Sequence, residues 1–160
     1  MQKYKWSALF ITVIAMLIPS ISASQQSHGH ESSGGNMKMD TREVLVEGIK
    51  VTFQIMANDD HKKMLEDMKM ENDVEAGTTH NITVILRNEK NQKEITDAAV
   101  SMKVVDPKGS DQIKNLKYES SMKSYDGYFN LPEKGSYQIL ILFRTGEQKR
   151  TAGVRYDLDI

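Results

Sequence analysis

The chain has 160 residues, with 21 Lys+Arg against 22 Asp+Glu, a net charge of -1, ten Met, four His and no Cys. That length holds one ordinary domain with room for a targeting segment and a tail. The near-neutral balance gives no nucleic-acid footprint, and the lack of cysteine excludes disulfides, thiolate zinc sites, iron–sulfur clusters, a cysteine nucleophile and a lipidated N-terminal cysteine.

Residues 1–24 begin with Lys3 and Lys5, continue through an apolar run from Ala8 to Ile18, and end in Pro19 and the small residues Ser20, Ser22, Ala23 and Ser24. A basic start, a short apolar core and a small-residue exit predict a secretory signal peptide. Crossing a bilayer takes roughly 20 apolar residues, so no stable membrane span is expected after cleavage. An exported protein is expected, periplasmic where the host has an outer membrane. Loss of Lys3 and Lys5 leaves a net charge of -3, and Trp6, the single tryptophan, goes with them.

Residues 25–41 are rich in Ser, Gly, Gln and Asn with no apolar periodicity, which predicts a disordered linker. From residue 42 to 160 the chain reads as short strands separated by turn chemistry. Strands are predicted over 43–47 and 49–55, flanking Gly48, with Val51, Phe53 and Ile55 on one face. Asp59 or Asp60 is expected to cap a short helix over 59–70, with His61, Met64, Leu65 and Met68 on one side. Further strands are predicted over 79–87, 98–105, 113–118, 128–131, 137–144 and 150–158, with turns at Asp106-Pro107-Lys108-Gly109 and Thr145-Gly146-Glu147-Gln148. Seven or eight such strands, alternating apolar and polar, predict an all-β, immunoglobulin-like antiparallel β-sandwich with one helical insertion between early strands.

All four histidines, His28, His30, His61 and His80, lie within residues 28–80, together with Met37, Met39, Met56, Met64, Met68 and Met70; residues 81–160 hold only Met102 and Met122. Thioethers select Cu(I) and imidazole accepts copper in either oxidation state. His61, Met64, Met68, Met70 and His80 are therefore the candidate metal ligands, with Met56 a further member at the end of its strand. Against this stands ordinary packing: Met64, Leu65 and Met68 also form the apolar stripe by which a short helix lies on a sheet. A second, looser site is readable in the tail from His28, His30, Met37 and Met39, suited to capture or handover.

Catalytic constellations are missing: there is no nucleophile elbow and no Gly-rich loop leading a strand into a helix. Asp97, Asp106 and Asp126 are explained as solvated turn residues. Residues 43–160 resemble the YtkA-like proteins, small exported Ig-like domains of bacterial envelopes associated with copper or other metal handling. The resemblance is carried by the hairpin around Gly48, the segment His61–Met70, Thr79-His80-Asn81-Ile82-Thr83-Val84, and Ala98-Ala99-Val100 leading to Asp106-Pro107-Lys108-Gly109. Gly127-Tyr128-Phe129-Asn130-Leu131 and Gly135-Ser136-Tyr137-Gln138-Ile139 add to it. It implies a sandwich and metal association, and no catalysis.

The expected function is a non-enzymatic, exported metal-binding protein, copper as Cu(I) being favoured, that buffers the ion or delivers it to an envelope or inner-membrane partner. Two alternatives remain at this level. One is an accessory module that binds no metal and docks on a membrane complex. The other is a noncovalent haem carrier using His61 or His80.

Overall fold

The structure is a computed structural model and describes residues 37–159. The expected signal peptide, and His28 and His30 of the tail, lie outside the described residues. Eight strands and one helix follow in the order β1 (Met39–Val46), β2 (Ile49–Ala57), α1 (Asn58–Asp67), β3 (His80–Asn88), β4 (Ala99–Val105), β5 (Asp111–Glu119), β6 (Ser124–Phe129), β7 (Gly135–Thr145) and β8 (Gln148–Leu158). They form an antiparallel sheet of order β1-β2-β3-β6-β5-β4-β7-β8.

The sheet folds over because β5 changes partners along its length. Asp111 to Leu116 pair with β4, whereas Lys117 to Glu119 pair with β6. A strand shared in this way makes the corner between two packed layers. The two outer strands then approach each other, and Arg150 Nε donates to Glu47 Oε2 at 2.8 Å across that seam. The result is a nearly closed, all-β, immunoglobulin-like sandwich. Its interior is filled by the alternating residues that the pleat turns inward, among them Phe53, Ile82, Met102, Phe129, Ile139 and Phe143, all fully buried.

Turn chemistry sets the registers. Glu47 and Gly48 both take positive φ, 47° and 77°, the requirement of a two-residue hairpin whose twist matches its strands. Asp106 Oδ1 accepts from the N–H groups of Lys108 and Ser110 and holds the β4–β5 turn as expected.

Beyond shifts of one or two residues at other strand ends, three differences from the sequence reading stand out. β1 begins at Met39, inside the stretch read as linker, and Met39, Asp40 and Thr41 pair with Met56, Ile55 and Gln54. β6 runs from Ser124 to Phe129 instead of starting at Tyr128. There Asp126-Gly127 looks like a turn, but Gly127 is a close approach: a Cβ at this position would sit 2.8 Å from Leu116 Cδ2 and 3.3 Å from the Phe129 ring. The helix spans Asn58–Asp67 and its N-cap is Ala57, not Asp59 or Asp60. The Asn58 N–H is satisfied by Thr79 O at 2.8 Å, so no side-chain cap is used. Asp59 and Asp60 instead lie in the first turn, where their charges complement the helix dipole.

Candidate metal centre

Helix α1 lies on the outer face of β2, β3 and β6, away from the main core. It buries Asn58, His61 and Leu65, a stripe of i, i+3 and i+7 spacing. Met56 is buried on the same outer face, in register with Asn81, which is in turn in register with Tyr128. The chain leaves the helix through a Schellman turn. Lys69 takes φ 56°, Lys69 N–H bonds Glu66 O at 3.0 Å, and Met70 N–H bonds Leu65 O at 2.9 Å. This turn brings Met70 back beside Leu65, the usual apolar partner in such a cap.

Between the helix and the sheet lies a cavity of about 70 Å³. It is lined by His61 and Leu65 of the helix, by Met70, Glu71 and Asp73 after it, by Thr83, Ser124 and Asp126 of the sheet, and by Glu119 and Met122 at the β5–β6 connection. His61, Met70 and Met122 therefore line a single small cavity, together with the carboxylate residues Glu71, Asp73, Glu119 and Asp126 and the hydroxyl residues Thr83 and Ser124. His61 Nε2 lies 3.1 Å from Tyr128 Oη, and the Tyr128 hydroxyl donates to Asp73 Oδ1 at 2.7 Å. Ser124, 2% exposed, lines the cavity with its Oγ buried and without a hydrogen-bond partner.

The electrostatics follow from burial. Desolvation lowers the His61 pKa below the ordinary histidine value, and the nearby Asp73 charge opposes that fall only in part. Burial, with the Asp73 carboxylate, pushes the Tyr128 hydroxyl far above the ordinary phenol value, so it stays protonated. Burial also raises the Asp126 carboxyl, against a stabilising bond from Asn81 Nδ2 at 3.3 Å, and the neighbouring Asp73 and Glu119 add to the rise. Asp126 is thus a half-buried wall of the cavity, not the solvated turn residue expected from the sequence.

The predicted ligands divide. His61 and Met70 both line the cavity. Met64 is half-buried at the flank of the helical stripe, and Met68, the C-cap, is 48% exposed. Neither lines the cavity. His80 does not join His61. It is in register with Phe129 and shares the inward parity of Ile82 and Val84, so it faces the interior, where its ring meets Tyr156 edge-on at 6.2 Å and Nδ1 lies 2.9 Å from Thr79 Oγ1. Burial lowers its pKa too. Of the tail residues, Met37 is half-buried and Met39 lies in β1 opposite Met56.

Sequence reasoning missed Met122, Asp73, Tyr128 and Asp126. Met122 stands far from the His/Met-rich third of the chain, and only the β5–β6 pairing returns it to α1. Among the described residues no three His, Asp or Glu side chains converge on one point. Imidazole and thioether are donor types that suit a soft ion.

No family model and no curated protein matches the chain. Solved structures do resemble it. A copper-bound variant of FetP from uropathogenic Escherichia coli aligns with a TM-score of 0.58 at 9% identity, covering 75% of this chain and 97% of that one. FetP as isolated from the same bacterium gives 0.54 at 9%, covering 79% and 100%. A DUF4426 family protein from Pseudomonas aeruginosa gives 0.53 at 14%, covering 74% and 94%. At these identities the likeness establishes a shared fold.

Proposed function

We propose that the protein is an exported, non-enzymatic copper-binding protein that holds Cu(I) at the cavity beside α1 and buffers it, or passes it to an envelope or inner-membrane partner. His61, Met70 and Met122 are the ligands on this reading. The observation that carries it is that one histidine and two methionines line the same small cavity. Two further points support it. The ring is buried, and burial lowers its pKa and so favours the neutral form, which is the form that binds metal. A variant of FetP, a protein of the same fold, has been solved with copper bound. The YtkA-like resemblance belongs to the same reading and rests on the motifs that carry it.

The haem alternative finds no support in these dimensions. Cofactor sites span about 300–1,000 Å³, whereas the His61 cavity holds about 70 Å³. The larger cavity, about 380 Å³ beside the start of α1, has no histidine in its lining. The docking-module alternative has one favourable observation. Ile113, Leu140 and Leu142 are exposed, and Ile113 and Leu140 flank Lys103 on neighbouring strands.

Titration of the purified protein with Cu(I) under a competing chelator tests the proposal. One tightly held ion is expected, lost on combining His61→Ala with Met70→Leu and retained in His80→Ala. No retained ion would leave the docking module as the better reading.

A further inference from the structure

We propose that Tyr128 and Asp73 are positioning residues that hold the His61 ring as its Nε2–H tautomer, so that Nδ1 is the nitrogen offered to a metal. The metal part rests on the copper reading above; the tautomer rests on hydrogen bonding alone.

The argument is a count of hydrogens. The Tyr128 hydroxyl carries one hydrogen, and an ionised carboxylate can only accept. The 2.7 Å bond to Asp73 Oδ1 therefore uses the tyrosine hydrogen. The contact of 3.1 Å between Tyr128 Oη and His61 Nε2 must then be an N–H donated by the ring into the tyrosine oxygen. The lengths agree with these roles: O–H to a charged oxygen is shorter than neutral N–H to oxygen. A neutral imidazole has one N–H, so Nδ1 keeps its lone pair.

This arrangement is a carboxylate–imidazole relay with a phenol inserted between the two groups. Relays of this kind set which nitrogen coordinates and hold the ring in place before the metal arrives. The parts come from three places in the chain: His61 from α1, Asp73 from the segment that follows the Schellman turn, and Tyr128 from the outward face of β6. That the relay crosses from helix to sheet gives α1 a polar tie to the sandwich at the place where the ligand sits. Asp73 is exposed at its other side, so it can be replaced without opening the core.

Asp73→Ala has a specific consequence. With its acceptor gone, the tyrosine hydrogen becomes free to point at Nε2, and the ring should move to the Nδ1–H tautomer. Asp73→Asn retains an acceptor oxygen and should retain the original tautomer.

The test is long-range ¹H–¹⁵N NMR of histidine-labelled protein without metal, followed by addition of Cu(I). The expected result is a pyrrole-like Nε2 and a pyridine-like Nδ1 at His61 in the parent and in Asp73→Asn, inverted in Asp73→Ala. Cu(I) should then perturb Nδ1 in the parent, and Asp73→Ala or Tyr128→Phe should weaken Cu(I) binding about 10- to 100-fold. A parent ring already in the Nδ1–H form, or one whose tautomer ignores Asp73→Ala, overturns the inference. Copper coordinated through Nε2 overturns the assignment of the ligating atom and leaves the copper reading standing. The expected tautomers without any response to Cu(I) support the relay and sink the copper reading.

Discussion

Removing the hydroxyl of Tyr125 should separate the stability of this fold from its binding chemistry. Tyr125 points inward from β6, 2% exposed, between Ser124 and Asp126, which line the cavity beside α1. Its hydroxyl accepts from the Ala98 N–H at 2.9 Å and donates to Ile95 O at 3.0 Å, tying down the long connection between β3 and β4. Tyr125→Phe keeps the ring, and with it the edge contact to Tyr118 at 5.2 Å, but deletes both bonds. Each intramolecular hydrogen bond contributes about 1 kcal/mol net, and two partly buried backbone groups left without partners raise the loss to about 2–3 kcal/mol. For a domain of this size, that lowers the melting temperature by roughly 8–12 °C. Thermal unfolding followed by circular dichroism, with urea titration for the free energy, measures it. Cu(I) affinity should stay at the parent value, since no atom of Tyr125 lines the cavity. A variant melting within about 2 °C of the parent would refute the reasoning that this hydroxyl anchors the loop.

Other consequences follow from the same geometry. Lys69→Gly relieves a side chain held at φ 56° in the Schellman turn and should stabilise the protein by about 1 kcal/mol, read from urea midpoints. Gly127→Ala drives a methyl into Leu116 and the Phe129 ring and should cost about 1–3 kcal/mol; an unchanged midpoint would mean that this contact gives way freely. His61 and His80 both have pKa values lowered by burial, so the unfolded chain takes up protons first as pH falls. Their stabilising contribution is complete above the unfolded value of about 6.5 and declines below it, so the urea midpoint should drop between about pH 7.5 and about pH 5.5. A midpoint that rises on acidification over that range contradicts the assignment. Asp126→Asn removes a carboxyl whose pKa burial has raised, so it should raise the midpoint at neutral pH, with the gain vanishing once the parent carboxyl is protonated.

Much of this molecule is legible in its sequence because strand alternation is a local signal. Val51, Phe53 and Ile55 declare an inward face within one strand, and Asp106-Pro107-Lys108-Gly109 declares its turn. The helical insertion between β2 and β3 is readable for the same reason. The site is less legible, because it depends on which local faces meet. The helix period groups His61 with Met64, Leu65 and Met68, but the sheet accepts a stripe centred on Asn58, His61 and Leu65. Met64 is left at its flank and Met68 beyond its end. Met70 reaches the cavity through a turn in which a lysine occupies the position where glycine is usual, so no glycine marks it. His80 carries a ligand's chemistry, yet strand parity sends it to the opposite face from His61. Asp126-Gly127 looks like a turn because a glycine demanded by close packing leaves the same mark in a sequence as a glycine demanded by positive φ.

The most direct measurement is native mass spectrometry of the protein titrated with Cu(I) in the presence of a competing chelator, run in parallel on the parent, His80→Ala, Met122→Leu and the His61→Ala, Met70→Leu double variant. The copper reading predicts one retained ion in the parent and in His80→Ala, weakened retention in Met122→Leu, and none in the double variant. Equal retention by the parent and the double variant, or no retention by the parent, would contradict a copper centre at the cavity beside α1.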